Sequence, residues 1–133
     1  MPGSFFDTNV LLYTASSDSA KADRAEELIA GGGMINVQVL NEITNVARRK
    51  MGMAWSELRE FLSSICALTS VRPITIAVHE TGLALAERYG LATWDAMIAS
   101  AALDADCDIL WSEDMQDGMV FEGRLQVVNP FAS

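Results

Sequence analysis

Five acidic residues fall where they could act together on a ligand: Asp7, Glu42, Asp95, Asp114 and Asp117. Asp7 closes the short apolar run 4–6, and Glu42 lies on a helical stretch that follows a second apolar run. Asp95 falls in the first turn of another helical stretch, and Asp114 and Asp117 follow the apolar run 108–111. Each taken singly has a structural use. Asp95 suits a helix dipole by about 0.3–1 kcal/mol, and Asp114 or Asp117 suits a turn before Gly118. Glu42 and Asp95 ask for more, because both stand at the edge of an apolar stripe. Val39 and Val46 flank Glu42 at i−3 and i+4, and the stripe of Asp95 continues into Ile98, Ala99 and Ala102. An ionised carboxylate there is costly unless compensated, and few lysines or arginines lie near it in sequence. Gathered carboxylates also repel and raise one another's pKa. A hard divalent cation, Mg²⁺ or Mn²⁺, would take them as ligands directly or through its waters, and an oxygen donor set without His or Cys selects that class over zinc.

The elements that must position these acids alternate along the chain. Residues 4–6 read as a strand and 10–13 as the start of a helix, and 19–30 is rich in helix formers and stops at Gly31-Gly32-Gly33. Residues 34–37 read as a strand. Residues 38–50 form a helix with Val39, Ile43, Val46 and Ala47 on one face, and 55–68 another with Leu58, Phe61, Leu62 and Ile65 inward. Pro73 cannot donate to a ladder, which makes 71–74 a short edge strand. A helix over 77–89 ends at Gly90, and Thr93 is the expected N-cap of a helix over 94–104. Strands at 108–111 and 126–128 complete the pattern, that of an α/β domain with a mainly parallel sheet. Such sheets bind ligands at the carboxyl ends of their strands, which is where these acids fall.

The 133 residues suffice for one domain, 1–133, without a linker or repeat, and half of them are apolar. Disorder is therefore excluded. No apolar run spans a membrane and the first residues do not resemble a signal peptide, so a cytoplasmic protein is expected. A formal charge of −9 argues against a nucleic-acid partner if charge acts only in bulk. If five of the 18 acids form one cation site, however, the rest of the body is only mildly acidic. Arg48-Arg49-Lys50 is the densest basic cluster, and Arg49 shares the helical stripe of Glu42 about 10.5 Å further along, within reach of a phosphate. The same three residues would also suit a helix C-terminus. Cys66 and Cys107 read as buried free thiols, His79 as a surface or packing residue, and Trp55, Trp94 and Trp111 as core or interface.

The segments Phe6-Asp7-Thr8-Asn9-Val10, Val39-Leu40-Asn41-Glu42, Tyr89-Gly90-Leu91 with Trp94-Asp95-Ala96, and the run from Trp111 to Gly118 occur in an order and spacing that resembles the PIN-domain ribonucleases. Within that family the sequence is similar to the toxins of VapBC-type toxin–antitoxin pairs. The resemblance covers nearly the whole chain and implies a three-layer α/β/α sandwich. It further implies an endoribonuclease site dependent on one or two Mg²⁺ or Mn²⁺ ions, with Asp7, Glu42, Asp95 and Asp114 as an acidic quartet and Asp117 as a variable fifth. Asn9 and Ser112 match polar positions that hold a carboxylate or a metal-bound water in place. The resemblance implies hydrolysis by water, with Glu42 or Asp114 as proton acceptor, leaving 5′-phosphate and 3′-hydroxyl ends. It also implies a homodimer and an antitoxin that covers the acidic site. Two rivals share an early acid after a strand. A haloacid-dehalogenase-like phosphatase needs Asp at position 9, which is Asn here, and a receiver-like signalling domain needs a late lysine. Both lysines, Lys21 and Lys50, lie early. A third alternative is a PIN fold kept only for binding, which the intact quartet disfavours.

Overall fold

A computed structural model describes residues 3–132. The chain runs β1 (Gly3–Phe6), α1 (Thr8–Leu12), a 3₁₀ turn (Tyr13–Ala15), α2 (Ser19–Ala30), β2 (Met34–Asn36), α3 (Val37–Arg49) and α4 (Trp55–Leu68). It continues through β3 (Ser70–Arg72), α5 (Ile76–Tyr89), α6 (Thr93–Asp104), β4 (Cys107–Trp111), β5 (Val120–Phe121) and β6 (Leu125–Val128). The strands form one sheet in the order β3-β2-β1-β4-β6-β5, parallel except where β5 runs antiparallel to β6.

Phe5 and Phe6 show why the sheet lies between two helical layers. Neighbours in a strand point to opposite faces, yet both are 0% exposed, so each face is covered. The strand order places β1 at a switch point. From β1 the chain moves outward through β2 to β3, then returns to lay β4 along the other side of β1. A parallel sheet opens a crevice beyond the carboxyl ends of the two strands at such a point. Here those ends are Phe6 and Trp111, paired in register, and Asp7 and Ser112 follow directly.

The α/β class, the mainly parallel sheet and the edge position of β3 match expectation. Several local readings do not. Val37 belongs to α3 rather than to β2, because the Asn36 side chain accepts from Val39 N–H at 3.1 Å and starts the helix early. Thr93 is the first residue of α6 instead of its cap, and the N-cap, Ala92, makes no side-chain hydrogen bond. Strand β5 has no expected counterpart. Its turn into β6 runs through Glu122 (φ 53°) and Gly123 (φ 69°), a left-handed pair that lacks the usual Asn-Gly signal. Cys66 is exposed, one residue past the inward-facing Ile65 of α4, whereas Cys107 is buried as expected. Trp55 and Trp94 are 56% and 65% exposed rather than core. Among the described residues no helix is long and apolar enough to cross a membrane.

Candidate active site

Asp7 leaves β1 with its backbone N–H donating to the carbonyl of Trp111 at 2.9 Å, which ties it to the end of β4. One carboxylate oxygen accepts from Thr8 N–H at 2.7 Å, and the other from the Ser112 hydroxyl at 2.8 Å. Ser112 is fully buried and itself accepts from Met115 N–H at 3.2 Å, so its hydroxyl hydrogen is directed at Asp7. Burial raises the Asp7 carboxyl to about 6. The Ser112 and Thr8 hydrogen bonds oppose that rise, and the charges of Asp114 and Glu42 add to it.

Glu42 reaches the same place from α3. Its two oxygens accept from the Thr8 hydroxyl at 2.5 Å and from the Gln38 amide at 3.2 Å. Asp95 stands in the first turn of α6, and its pKa is raised by burial and then by Asp114 and Glu42. Asp114 lies three residues beyond β4 and accepts from the Asn9 side-chain amide. Burial, then the charges of Glu113 and Glu42, raise its pKa as well. All four carboxylates line one cleft of about 700 Å³, and no Lys, Arg or His is among its lining residues. Three carboxyl groups thus hold their protons more tightly than usual where no basic side chain lines the cleft.

The Asn9 amide donates to Asp114 and the Ser112 hydroxyl to Asp7, two of the four cleft carboxylates. Asp117 lies outside this lining, and its carboxylate accepts from Asn129 N–H at 2.8 Å. The basic cluster also stands outside it. Arg48 donates to the Met53 carbonyl at 2.6 Å and stacks 4.1 Å from the Trp55 ring, while Arg49 and Lys50 are exposed. His79 is exposed on α5. Sequence reasoning missed Thr8, Gln38, Asn41, Asn45 and Trp94, all of which line the cleft. A signal for three of them was present. Gln38, Asn41, Glu42 and Asn45 recur at i, i+3, i+4 and i+7, a polar stripe beside the apolar one that was read as inward. Lys21 was also missed. It meets Glu113 at 2.8 Å and the Tyr13 hydroxyl at 3.1 Å, bracing the residue next to Asp114, and pairs α2 with the exit of β4 across 92 positions, a separation that leaves no local signal.

The donor set is chemically suited to a hard divalent cation: four carboxylates, all oxygen, at one mouth. Among the described residues no three His, Cys, Asp or Glu side chains already form a ready ligand cage. The hydrogen bonds of Thr8, Gln38, Asn9 and Ser112 instead hold Glu42, Asp114 and Asp7 around the cleft. Closing them onto one point requires a counter-charge, since like charges in a partly buried site oppose approach.

Solved structures share this fold. A toxin–antitoxin complex from Klebsiella pneumoniae superposes with a TM-score of 0.73 at 20% identity, covering 96% of this chain and 98% of that one. The sarcin-ricin-loop-cleaving toxin VapC20 of Mycobacterium tuberculosis gives 0.62 at 17% identity, over 84% and 89% of the two chains. VapBC2 from Rickettsia felis, bound to a DNA fragment from its promoter, gives 0.62 at 18%, over 84% and 87%. No curated protein sequence matches the chain. At these identities the likeness is one of fold. The sequence itself matches the PIN domain family model over residues 4–117, a span that contains all four cleft carboxylates and the residues that hold them, and on that match the chain belongs to the PIN domain family.

Proposed function

We propose that this chain is the toxin of a toxin–antitoxin pair and acts as an Mg²⁺- or Mn²⁺-dependent endoribonuclease. The observation that carries the reading is the single cleft lined by Asp7, Glu42, Asp95 and Asp114, with no basic side chain among its lining residues. A phosphodiester is an anion, and four carboxylates would repel it unless their charge were compensated. Asp7 and Asp95 would hold the cation, one ion or two, with Glu42 and Asp114 acting directly or through water; when bound it neutralises charge at the scissile phosphate and acidifies water. The chain's own residues supply the orientation. Ser112 and Thr8 fix both oxygens of Asp7, Thr8 and Gln38 fix Glu42, and Asn9 fixes Asp114. Glu42 and Asp114, both at the cleft, are the two candidates to accept the water's proton. In-line attack by water, with the P–O3′ bond breaking and O3′ taking up a proton, gives 5′-phosphate and 3′-hydroxyl ends. RNA is the substrate class this reading takes, and VapC20, similar in fold, is described as a sarcin-ricin-loop-cleaving toxin.

Two partner surfaces support the rest of the reading. An apolar groove of about 380 Å³ between α2 and α4, lined by Ile29, Phe61, Ile65 and Leu68, would accept an antitoxin helix or tail. Ile74, Ile76 and Leu83 are about half to three-quarters exposed around α5 and suit a second copy of the chain in a homodimer. A cytoplasmic location fits both. The decisive test is cleavage of total RNA with Mg²⁺ or Mn²⁺, with EDTA, and with Asp7→Asn or Asp95→Asn. Cleavage is expected only with the cation and the intact acids; undiminished cleavage by the substituted proteins would remove the site. Co-purified antitoxin should silence the activity, and equal cleavage with and without it would remove the toxin role.

A further inference from the structure

Asn9 lines a second cavity as well as the acidic cleft. This space of about 470 Å³ is walled by Tyr13, Ser16, Ser17 and Met51 and has no charged side chain in its lining, so an acidic cleft and a neutral one adjoin at a single residue. The Tyr13 wall is held rigidly. Its hydroxyl donates to Glu113 at 2.5 Å and accepts from Lys21 at 3.1 Å, and its ring meets Phe131 edge-on with centroids 4.7 Å apart. Met51 at the other rim follows directly on Arg49 and Lys50, which are exposed and form no ion pair with any described residue. The neutral cavity thus adjoins the acidic cleft at Asn9, and the basic pair Arg49-Lys50 directly precedes its Met51 rim along the chain.

A single strand of RNA offers the complementary order: a phosphate that needs a cation, a neutral nucleoside, then another phosphate. From this we propose that the second cavity is the subsite for the nucleoside adjoining the scissile phosphate, with the following phosphate drawn to Arg49 and Lys50. The proposal rests on the RNA-cleavage reading above. Binding cavities for small ligands run at about 300–1,000 Å³, so the space suffices for a base and its sugar. The Tyr13 ring and the Met51 thioether offer apolar and stacking contact to any base, and the Ser16 and Ser17 hydroxyls offer hydrogen bonds to its edge. A base must leave its stack to enter, which selects single-stranded segments over duplex.

The test fills the cavity from two rims with Ser17→Trp and, separately, Met51→Trp, both at exposed positions. Two phosphodiesters are compared in Mn²⁺: a mixed-sequence single-stranded oligoribonucleotide, and bis(p-nitrophenyl) phosphate, which has no nucleoside. The ratio of kcat/KM for RNA to that for the small diester should fall about tenfold or more in each variant, the size of one lost base stack. Binding of the labelled oligoribonucleotide, read by fluorescence anisotropy in Ca²⁺, should weaken by a similar factor. A ratio and an affinity that both stay within about twofold of wild type overturn the subsite. Asp95→Asn serves as the separate control: if it abolishes RNA cleavage while the filled variants behave as wild type, the subsite alone fails. If Asp95→Asn leaves cleavage intact, the RNA-cleavage reading fails with it.

Discussion

Replacing Asp7 with asparagine should make the cation-free protein more stable at neutral pH while abolishing its activity. The carboxyl is 7% exposed and its pKa stands at about 6 in the folded chain against 3.8 when unfolded. A raised carboxyl pKa means that the folded chain binds this proton more tightly than the unfolded chain does. Below pH 3.8 both states are protonated and there is no penalty; between 3.8 and 6 the unfolded chain ionises first and stability falls; above 6 the full penalty applies. At about 1.4 kcal/mol per unit the penalty is about 3 kcal/mol. Asparagine removes it and can still accept from Thr8 N–H, but its amide must face the Ser112 hydroxyl the other way round, at a cost of about 1 kcal/mol. The net gain is about 2 kcal/mol, or roughly 6–10 °C in Tm for a chain of this size. Thermal melts in EDTA at pH 8 and pH 4 test it: the variant should melt higher at pH 8, and the difference should vanish or reverse at pH 4. Adding Mn²⁺ at pH 8 should raise the wild-type Tm and leave that of the variant nearly fixed. A variant that melts at or below wild type at pH 8, or by the same margin at both pH values, would refute the assignment of Asp7 as a buried, uncompensated carboxylate.

Three further outcomes are expected. Asn9→Ala frees Asp114 from its amide donor and should lower activity about 10–100-fold, with a stability change within about 1 kcal/mol, as judged by kinetics beside urea unfolding. Gly33→Ala should destabilise by about 1–3 kcal/mol, because a Cβ there would stand 2.3 Å from the fully buried Phe6 ring, and a loss below about 0.5 kcal/mol in denaturant titration would contradict that contact. In Lys21→Met the Glu113 carboxyl, now held below its usual pKa first by the Lys21 contact and then by Tyr13, loses its main partner. A depressed carboxyl pKa stabilises above the unfolded value of 4.5 and ceases to do so as pH falls through the folded one. The variant should therefore be less stable than wild type at pH 7, by a margin that shrinks as pH falls below 4.5, in paired melts.

The mainly parallel sheet and the fall of acids after its strands were legible because both rest on local rules. Asp7 and Asp114 each follow an apolar run, and parallel strands end where ligands bind. Helix α2 ran over the expected residues because good helix formers meet a triple glycine, and α3 was placed one residue late at each end. What stayed hidden depends on distant partners. Nothing local to Lys21 or Glu113 shows that they meet, and nothing local to Gly33 shows that the Phe6 ring closes over it. The polar stripe Gln38, Asn41, Glu42 and Asn45 was visible, yet the inward direction was assigned to the apolar residues alone. A helix end at a crevice can turn polar groups inward too, since the crevice is wet. Trp55 and Trp94, expected in core or interface, lie at the surface, where one stacks with Arg48 and the other lines the cleft.

The return of β4 to the side of β1 also governs when the site can exist. Ser112 and Asp7 are 105 positions apart in sequence, and their hydrogen bond joins the carboxyl ends of two strands that pair only after every element between them has been made. A ribosome delivers about 5–20 residues per second, so for about 1–4 s the emerging chain carries Asp7, Glu42 and Asp95 before Asp114 is made to join them. No nascent fragment that stops short of β4 can hold the four carboxylates together. On the RNA-cleavage reading, no RNA met by the chain before β4 is made can be cut, and the strand order itself sets that delay.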